Sequence, residues 1–400
     1  MDNSGTLNHV VGRNTAVYTA AVYEDEKAAA RRKLHNARVG VMAFLVASCC
    51  ALGAYQIAYT ANGAVAVRSD GYTVLKDDTS DHKSAVAAVT KVSEESKKID
   101  IEIPEICPVN MTAYSPIAIV YDKTTGKVLY SKNETEKCYP ASTAKLMTAA
   151  VALDIAPDGY NFIAGNELDL VPENASLAKI NKCYSLNRQQ LADGIILIGG
   201  SDVSYTAAAN IGRLLSDTDD ISANKAVSAF VDMMNTTARN IGAESTHFTN
   251  PDGFYDDDNY TTAKDMLKIA IYASDHDEIM DAAGREISNG KLASGQYYEW
   301  LNTNKLVLEE SSSYYEYATG LKTGMTEGAG YCIAATAERY GHELICVVMN
   351  SDSGEHRQSD VTNLFDLSFE YINENCDAEE ETENTGEAEE SSMEEDKEDT

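Results

Sequence analysis

Apolar and polar positions change period along this chain, and the changes mark out its elements. Ala118-Ile119-Val120-Tyr121 and Lys127-Val128-Leu129-Tyr130 bracket the turn-rich Asp122-Lys123-Thr124-Thr125-Gly126, which predicts a β-hairpin. A second hairpin is predicted near the other end, where residues 330–337 and 343–349 flank Arg339-Tyr340-Gly341-His342. Between them the spacing becomes helical, over 142–154, 187–198, 223–240 and 261–273. Val361, Leu364, Phe365, Ser368, Tyr371 and Ile372 then recur at helical intervals, so the domain should close on a helix. Periodicity thus gives a mixed α/β (α+β) composition for residues 107–376.

The flanks read differently. Residues 39–59 are almost wholly apolar, interrupted by Ser48 and Gln56, and as a helix they would reach about 30 Å, enough to span a bilayer. Arg31, Arg32, Lys33 and Arg38 precede this run, so the positive-inside rule puts residues 1–38 in the cytoplasm and everything after the single-pass transmembrane helix outside the cell membrane. A cleaved signal peptide is the competing reading, opposed by the length of the run and of the segment ahead of it. Residues 60–106 mix Ser, Thr, Ala, Lys and acids without sustained period and read as an extracytoplasmic linker. Residues 377–400 hold thirteen acidic residues and one basic one, a block expected to repel itself and stay disordered.

The formal net charge of −32 argues against nucleic acid as a partner. No H-E-x-x-H and no Cys/His cluster is present, so neither a metal nor another cofactor is expected. Cys49 and Cys50 fall in the apolar run, and Cys332 and Cys346 in β-like runs suited to small buried hydrophobes. Cys107, Cys138, Cys183 and Cys376 remain for pairing, in a connectivity that spacing leaves open.

Chemistry concentrates in two short segments. Ser142-Thr143-Ala144-Lys145 follows Pro140-Ala141, which ends extended chain, and leads into an apolar helix. Ser142 is thereby placed near free backbone N–H groups and the positive end of a helix dipole, with Lys145 one turn further on the same side. A serine hydroxyl needs a neighbouring amine to take its proton, and a second cation nearby keeps that amine neutral. Lys322 of Lys322-Thr323-Gly324 is the candidate for that cation.

These segments resemble the active-site motifs of the serine D-alanyl-D-alanine carboxypeptidases, the low-molecular-mass penicillin-binding proteins of the β-lactamase/transpeptidase-like superfamily. Pro140-Ala141-Ser142-Thr143-Ala144-Lys145-Leu146-Met147-Thr148 is similar almost residue for residue. Three further segments follow in the family's order: Phe248-Thr249-Asn250-Pro251-Asp252-Gly253-Phe254, Asn302-Thr303-Asn304-Lys305-Leu306, and Gly320-Leu321-Lys322-Thr323-Gly324-Met325-Thr326. The resemblance implies an antiparallel sheet built from both ends of the domain and flanked by helices. It also implies a peptidase acting on peptidoglycan stem peptides, with β-lactams as inhibitors. Ser142 would be the acylated nucleophile and Lys145 its base. Lys322, Thr323 and Gly324 would bind the substrate's terminal carboxylate, with the Ser142 and Met325 backbone N–H groups forming the oxyanion hole.

One motif departs from the pattern. The family places Ser-x-Asn after an apolar run, here Gly194-Ile195-Ile196-Leu197-Ile198, but the chain continues Gly199-Gly200-Ser201-Asp202-Val203-Ser204. Aligning on Asp202 puts glycine where the family's proton-relaying serine belongs and Ser201 where the substrate-gripping asparagine belongs. In a shifted register Ser201 is itself the relay, and it is carried as a candidate catalytic residue in that sense. A catalytically impaired peptidoglycan-binding paralogue is therefore the alternative. A β-lactamase ranks last, since no clear glutamate motif is present to activate a deacylating water.

Overall fold

The structure, a computed structural model, describes residues 55–60, 63–68, 98–216 and 221–395, with side chains described from 98 to 375 apart from 217–220. The chain divides into two compact units, residues 1–79 and 80–400.

In the first unit, β1 (Tyr55–Thr60) and β2 (Gly63–Arg68) pair antiparallel, with Tyr55 opposite Arg68 and Thr60 opposite Gly63. This corrects the C-terminal end of the predicted membrane helix, because residues 55–59 are extended. The reason is local: two tyrosines and an isoleucine favour strand. Residues 39–54, the segment 1–38 expected in the cytoplasm and most of the expected linker lie outside the described residues. Among the described residues no helix is long and apolar enough to cross a membrane.

The second unit holds a five-stranded antiparallel sheet, β4-β3-β11-β10-β9. It is indeed built from both ends. Strands β3 (Ile117–Asp122) and β4 (Lys127–Lys132) form the first expected hairpin. Between them and the last three strands come α1 (Lys145–Ile155), the small pair β5 (Phe162–Ile163) and β6 (Ser185–Leu186), and α2 (Arg188–Ala192). Helices α3 (Ser201–Leu214), α4 (Ala223–Asn240), α5 (Ala263–Ser274) and α6 (Asp277–Gly284) follow. The hairpin of β7 (Ile287–Lys291) and β8 (Tyr297–Leu301) was not anticipated. The chain then returns to the sheet through β9 (Ala318–Thr326), β10 (Gly330–Arg339) and β11 (His342–Ser351). Tyr340 and Gly341 both take positive φ, 54° and 76°, as a two-residue primed turn between twisted strands requires.

Strand alternation sorts the core into two layers. Ile117, Ile119, Ile345 and Val347 face the helical side, while Ala118, Val120, Cys346 and Val348 face α7 (Gly354–Glu395) through Val361, Leu364, Phe365 and Phe369. Burying each large aliphatic or aromatic side chain stabilises the fold by about 1.5–3 kcal/mol. Helix α1 is buried on nearly every face, which fits its apolar sequence and makes it the central post of the helical layer.

Two expected boundaries move. The linker's last residues belong to the fold, since Ile101 is buried in the main core and the Ile99 N–H donates to the Ile241 carbonyl at 3.0 Å. At the other end the helix expected around 361–372 runs on to Glu395, through most of the segment expected to be disordered. Glutamate and alanine are good helix formers, and the packed turns upstream have already met the cost of nucleation. Among the described cysteines, Cys107, Cys138, Cys183, Cys332 and Cys346 are free thiols, with Cys332 and Cys346 buried as expected.

Candidate active site

Ser142 lies in a 3-10 turn, Ala141–Ala144, one step ahead of α1 rather than within it. Ala141 takes φ +47°, a left-handed conformation uncommon for a residue with a side chain. Two glycines distant in sequence hold it there. A Cβ on Gly253 would lie 1.8 Å from the Ala141 carbonyl oxygen, and one on Gly324 would lie 2.7 Å from the Ser142 nitrogen. Only bare backbone on both sides admits the turn, which explains the glycine of Lys322-Thr323-Gly324 physically.

Lys145 opens α1 and is buried. Its Nζ lies 3.1 Å from Ser142 Oγ and 2.7 Å from the carbonyl oxygen of Asp252. Burial pushes the Lys145 amine below the usual lysine range, against the pull of Asp252 and Asp202. When that amine is neutral the contact reverses, with the serine O–H donating to Nζ. The segment 248–254 supplies the scaffold: Thr148 Oγ1 donates to the Pro251 carbonyl at 2.6 Å, and the Gly253 N–H to Asn250 Oδ1 at 2.8 Å. The buried polar turn thus fixes the carbonyl that aims Lys145.

Lys322 and Thr323, also buried, come from β9 beside Ser142. Burial first, then the charges of Lys145 and Arg357, bring the Lys322 amine down to about 7. Its Nζ donates to Thr303 Oγ1 at 3.3 Å, and Thr323 Oγ1 donates to the same oxygen at 3.4 Å. Arg357, near the start of α7, is buried too and lines the same cleft, its Nη1 donating to the Cys332 carbonyl at 3.3 Å. Sequence reasoning quoted the segment around Thr303 without giving it a role, and missed Arg357. The signal for Thr303 was its place between two asparagines that turn out buried.

Ser142 sits where two cavities meet. One, of about 720 Å³, is lined by Ser142, Ser201, Phe254, Tyr255 and exposed Met325. The other, of about 640 Å³, is lined by Ser142, Gly199, Thr303, Lys322, Thr323 and Arg357. Gly324 also borders the second, so six of the seven residues singled out from the sequence line these two cavities, and the seventh, Lys145, meets them through its contact with Ser142 Oγ. Ser201 begins α3, its N–H donating to the Ser176 carbonyl at 2.7 Å. Asp202 accepts the N–H groups of Ala178 at 2.9 Å and Ile180 at 3.0 Å, tying the 174–180 loop to the helix. Gly199 has φ +76°, and a Cβ there would stand 3.2 Å from Lys322 Nζ. The backbone at this position is built for glycine.

Comparison with known proteins matches residues 106–353 to the peptidase family described as D-alanyl-D-alanine carboxypeptidase. The chain belongs to this carboxypeptidase family. Among its relatives, the D-alanyl-D-alanine carboxypeptidase DacF of Bacillus subtilis is 26% identical over 257 residues, covering 63% of this chain and 61% of the relative. A D-alanyl-D-alanine carboxypeptidase of Streptomyces is 30% identical over 256 residues, 61% of this chain and 84% of that one. The chain therefore spans about three-fifths of the Bacillus protein's length. The solved Streptomyces K15 DD-transpeptidase superposes with a TM-score of 0.58 at 29% identity, over 65% of this chain and 99% of that one. Penicillin-binding protein D2 of Listeria monocytogenes, solved in an ampicillin-bound form, shares the fold at a TM-score of 0.52 and 24% identity. The carboxypeptidase match ends at 353, just before the helix that carries Arg357.

Proposed function

We propose that this protein is a serine D-Ala-D-Ala carboxypeptidase that removes the terminal D-alanine from peptidoglycan stem peptides. The observation that carries the reading is the 3.1 Å contact between Lys145 Nζ and Ser142 Oγ, with a second buried lysine in the same cleft. Neutral Lys145 takes the serine proton, Ser142 attacks the carbonyl between the two D-alanines, D-alanine leaves, and water hydrolyses the acyl-enzyme. Lys322, Thr323 and Arg357 hold the terminal carboxylate, a charge-assisted arrangement stronger than neutral hydrogen bonds. The Ser142 and Met325 N–H groups stabilise the oxyanion, each donor contributing roughly 3–4 kcal/mol in such sites. A β-lactam presents a strained amide and a carboxylate with similar spacing and acylates Ser142.

The test is D-alanine release from a pentapeptide ending in D-Ala-D-Ala, together with covalent labelling by a fluorescent penicillin. Full-length protein is expected to release D-alanine and to be labelled, and Ser142→Ala to do neither. Lys145 Nζ, which loses Ser142 Oγ in that variant, keeps the Asp252 carbonyl, so Ser142→Ala should hold its Tm within a few degrees. Equal labelling of both proteins removes the assignment. One observation favours a second reading: the glycine-only backbone at 199 leaves the family's relay position without a hydroxyl, which suits a slow or impaired enzyme.

The apolar residues 39–54, with the basic residues that precede them, support a membrane anchor carrying the peptidase outside the cell. Protease added to intact protoplasts is expected to remove the catalytic domain and leave a short membrane-bound fragment. Recovery of a soluble form starting near residue 61 indicates a signal peptide instead.

A further inference from the structure

Cleaving an amide demands a proton at the departing nitrogen, because an amine leaves readily and an amide anion does not. In the acylation step Lys145 is already engaged in taking the proton of Ser142. The donor must therefore stand on the leaving-group side of the nucleophile. In D-alanine only one carbon separates the nitrogen from the carboxylate, so whatever lies beside the carboxylate-binding groups also lies beside the nitrogen. Gly199, which faces Lys322 there, carries no side chain.

Thr303 does carry one. Its Oγ1 is 3.3 Å from Lys322 Nζ and 3.4 Å from Thr323 Oγ1, and it lines the same cavity as Ser142. The residue is exposed while both neighbours are buried, so its side chain meets the cleft. Its placement is rigid. Asn302 Nδ2 donates to the carbonyls of Ala283 at 2.9 Å and Arg285 at 2.8 Å, Asn304 Nδ2 donates to that of Gly320 at 3.0 Å, and the Thr303 N–H donates to that of Leu197 at 3.0 Å. Without substrate the Thr303 hydroxyl hydrogen points to the Leu197 carbonyl at 3.2 Å, a neutral acceptor it can leave by rotating. Ser201 lines the cavity that Phe254 and Tyr255 border, whereas Thr303 and Lys322 line the other.

We propose that the Thr303 hydroxyl is the proton donor to the departing amine, itself reprotonated by the Lys322 ammonium. As the bond from Ser142 Oγ to the carbonyl carbon forms, the serine proton passes to Lys145. As the C–N bond breaks, the nitrogen takes the Thr303 proton and Thr303 takes one from Lys322. The products are the acyl ester, D-alanine with a neutral amine, protonated Lys145 and neutral Lys322. One proton has moved from Lys322 to Lys145, and exchange with solvent resets the pair before water attacks. The depressed Lys322 amine suits this role, since it both holds and gives up a proton near neutral pH. The inference rests on the carboxypeptidase reading above.

The test compares two substrates with the same acyl group: a peptide ending in D-Ala-D-Ala, and the matched thioester of mercaptoacetate. A thiolate departs without a proton, and mercaptoacetate keeps the carboxylate. In the full-length protein, Thr303→Val should lower kcat for the amide by about a hundredfold, the low end of general acid catalysis, while changing the thioester less than about threefold. Thr303→Ser should retain most of both activities. Equal loss on the two substrates makes Thr303 a group that merely positions Lys322, and overturns the proposal. Selective amide loss in Ser201→Ala but not in Thr303→Val overturns it as well. A wild type that cleaves neither substrate removes the carboxypeptidase reading and this one together, whereas an active wild type with an unchanged ratio in Thr303→Val removes this one alone.

Discussion

The geometry of single residues sets the chemistry of this cleft. Ala141 is held left-handed by the bare backbones of Gly253 and Gly324, and Ser142 is presented as a result. Gly324→Ala should therefore drive the Ser142 turn back and lower the rate of penicillin acylation at least tenfold, measured by stopped-flow labelling; an unaltered rate means the turn yields freely. The two lysines fix the pH profile. As pH rises, Lys145 loses its proton at a pKa depressed by burial, and acylation accelerates. As pH passes about 7, Lys322 loses its own, so attraction for the terminal carboxylate weakens and kcat/KM turns down on the alkaline side. A profile that keeps rising through pH 9 contradicts the role given to Lys322. Because the Lys322 pKa is lower folded than unfolded, the unfolded chain binds the extra proton between about 7 and the ordinary lysine value. Stability linked to this residue therefore rises with pH across that window and is lowest below it. Lys322→Met should raise Tm at pH 6 while abolishing activity, a trade of stability for function.

At the scale of elements, a polar cluster pins the end of α1 to the α5–α6 junction. His276 Nδ1 lies 3.1 Å from the Tyr272 carbonyl and Nε2 lies 2.9 Å from Asp154 Oδ1, while the Tyr272 hydroxyl donates to the other Asp154 oxygen. Both ring nitrogens face acceptors, so the arrangement suits the doubly protonated imidazolium. Burial opposes that charge, yet the Asp154 carboxylate and the Tyr272 carbonyl outweigh it and the pKa is raised. A raised folded pKa gives stability that is complete below the unfolded value of about 6.5 and is lost as pH climbs through the folded value. The Tm deficit of His276→Gln should accordingly be larger at pH 5.5 than at pH 8.5, and a pH-independent deficit would assign the residue to packing alone. On the other side of the sheet, Phe365 and Phe369 anchor α7. Phe365→Ala should cost about 3–5 kcal/mol in denaturant unfolding.

For the whole molecule the question is where the peptidase unit begins and ends. Ile101 is buried and Ile99 is hydrogen-bonded to α4's end, so a truncated domain starting at 107 loses a core side chain present in one starting at 98. Burial of one isoleucine is worth about 1.5–3 kcal/mol, which in a domain of this size should appear as a fall of several degrees in Tm. The helical extension beyond 376 follows the last packed turn at Ile372. Removing residues 377–400 should leave Tm within about a degree, and a larger fall would mean the acidic helix packs on the fold.

Much of this was legible in the sequence because it depends on neighbours a few residues away. The two sheet hairpins and the span of α4, Ala223–Asn240, follow from side-chain period and turn residues. The serine and its two lysines were recognisable because their types and spacing answer a specific chemical need. What the tertiary structure decided are the contacts between distant segments: β9 against the Ser142 turn, Asp252 against Lys145, and Thr303 and Arg357 beside Lys322. Periodicity reports which face of an element is buried but not which backbone presses on it. The left-handed Ala141 and Gly199 therefore could not be foreseen, because each is imposed by packing against segments more than a hundred residues away.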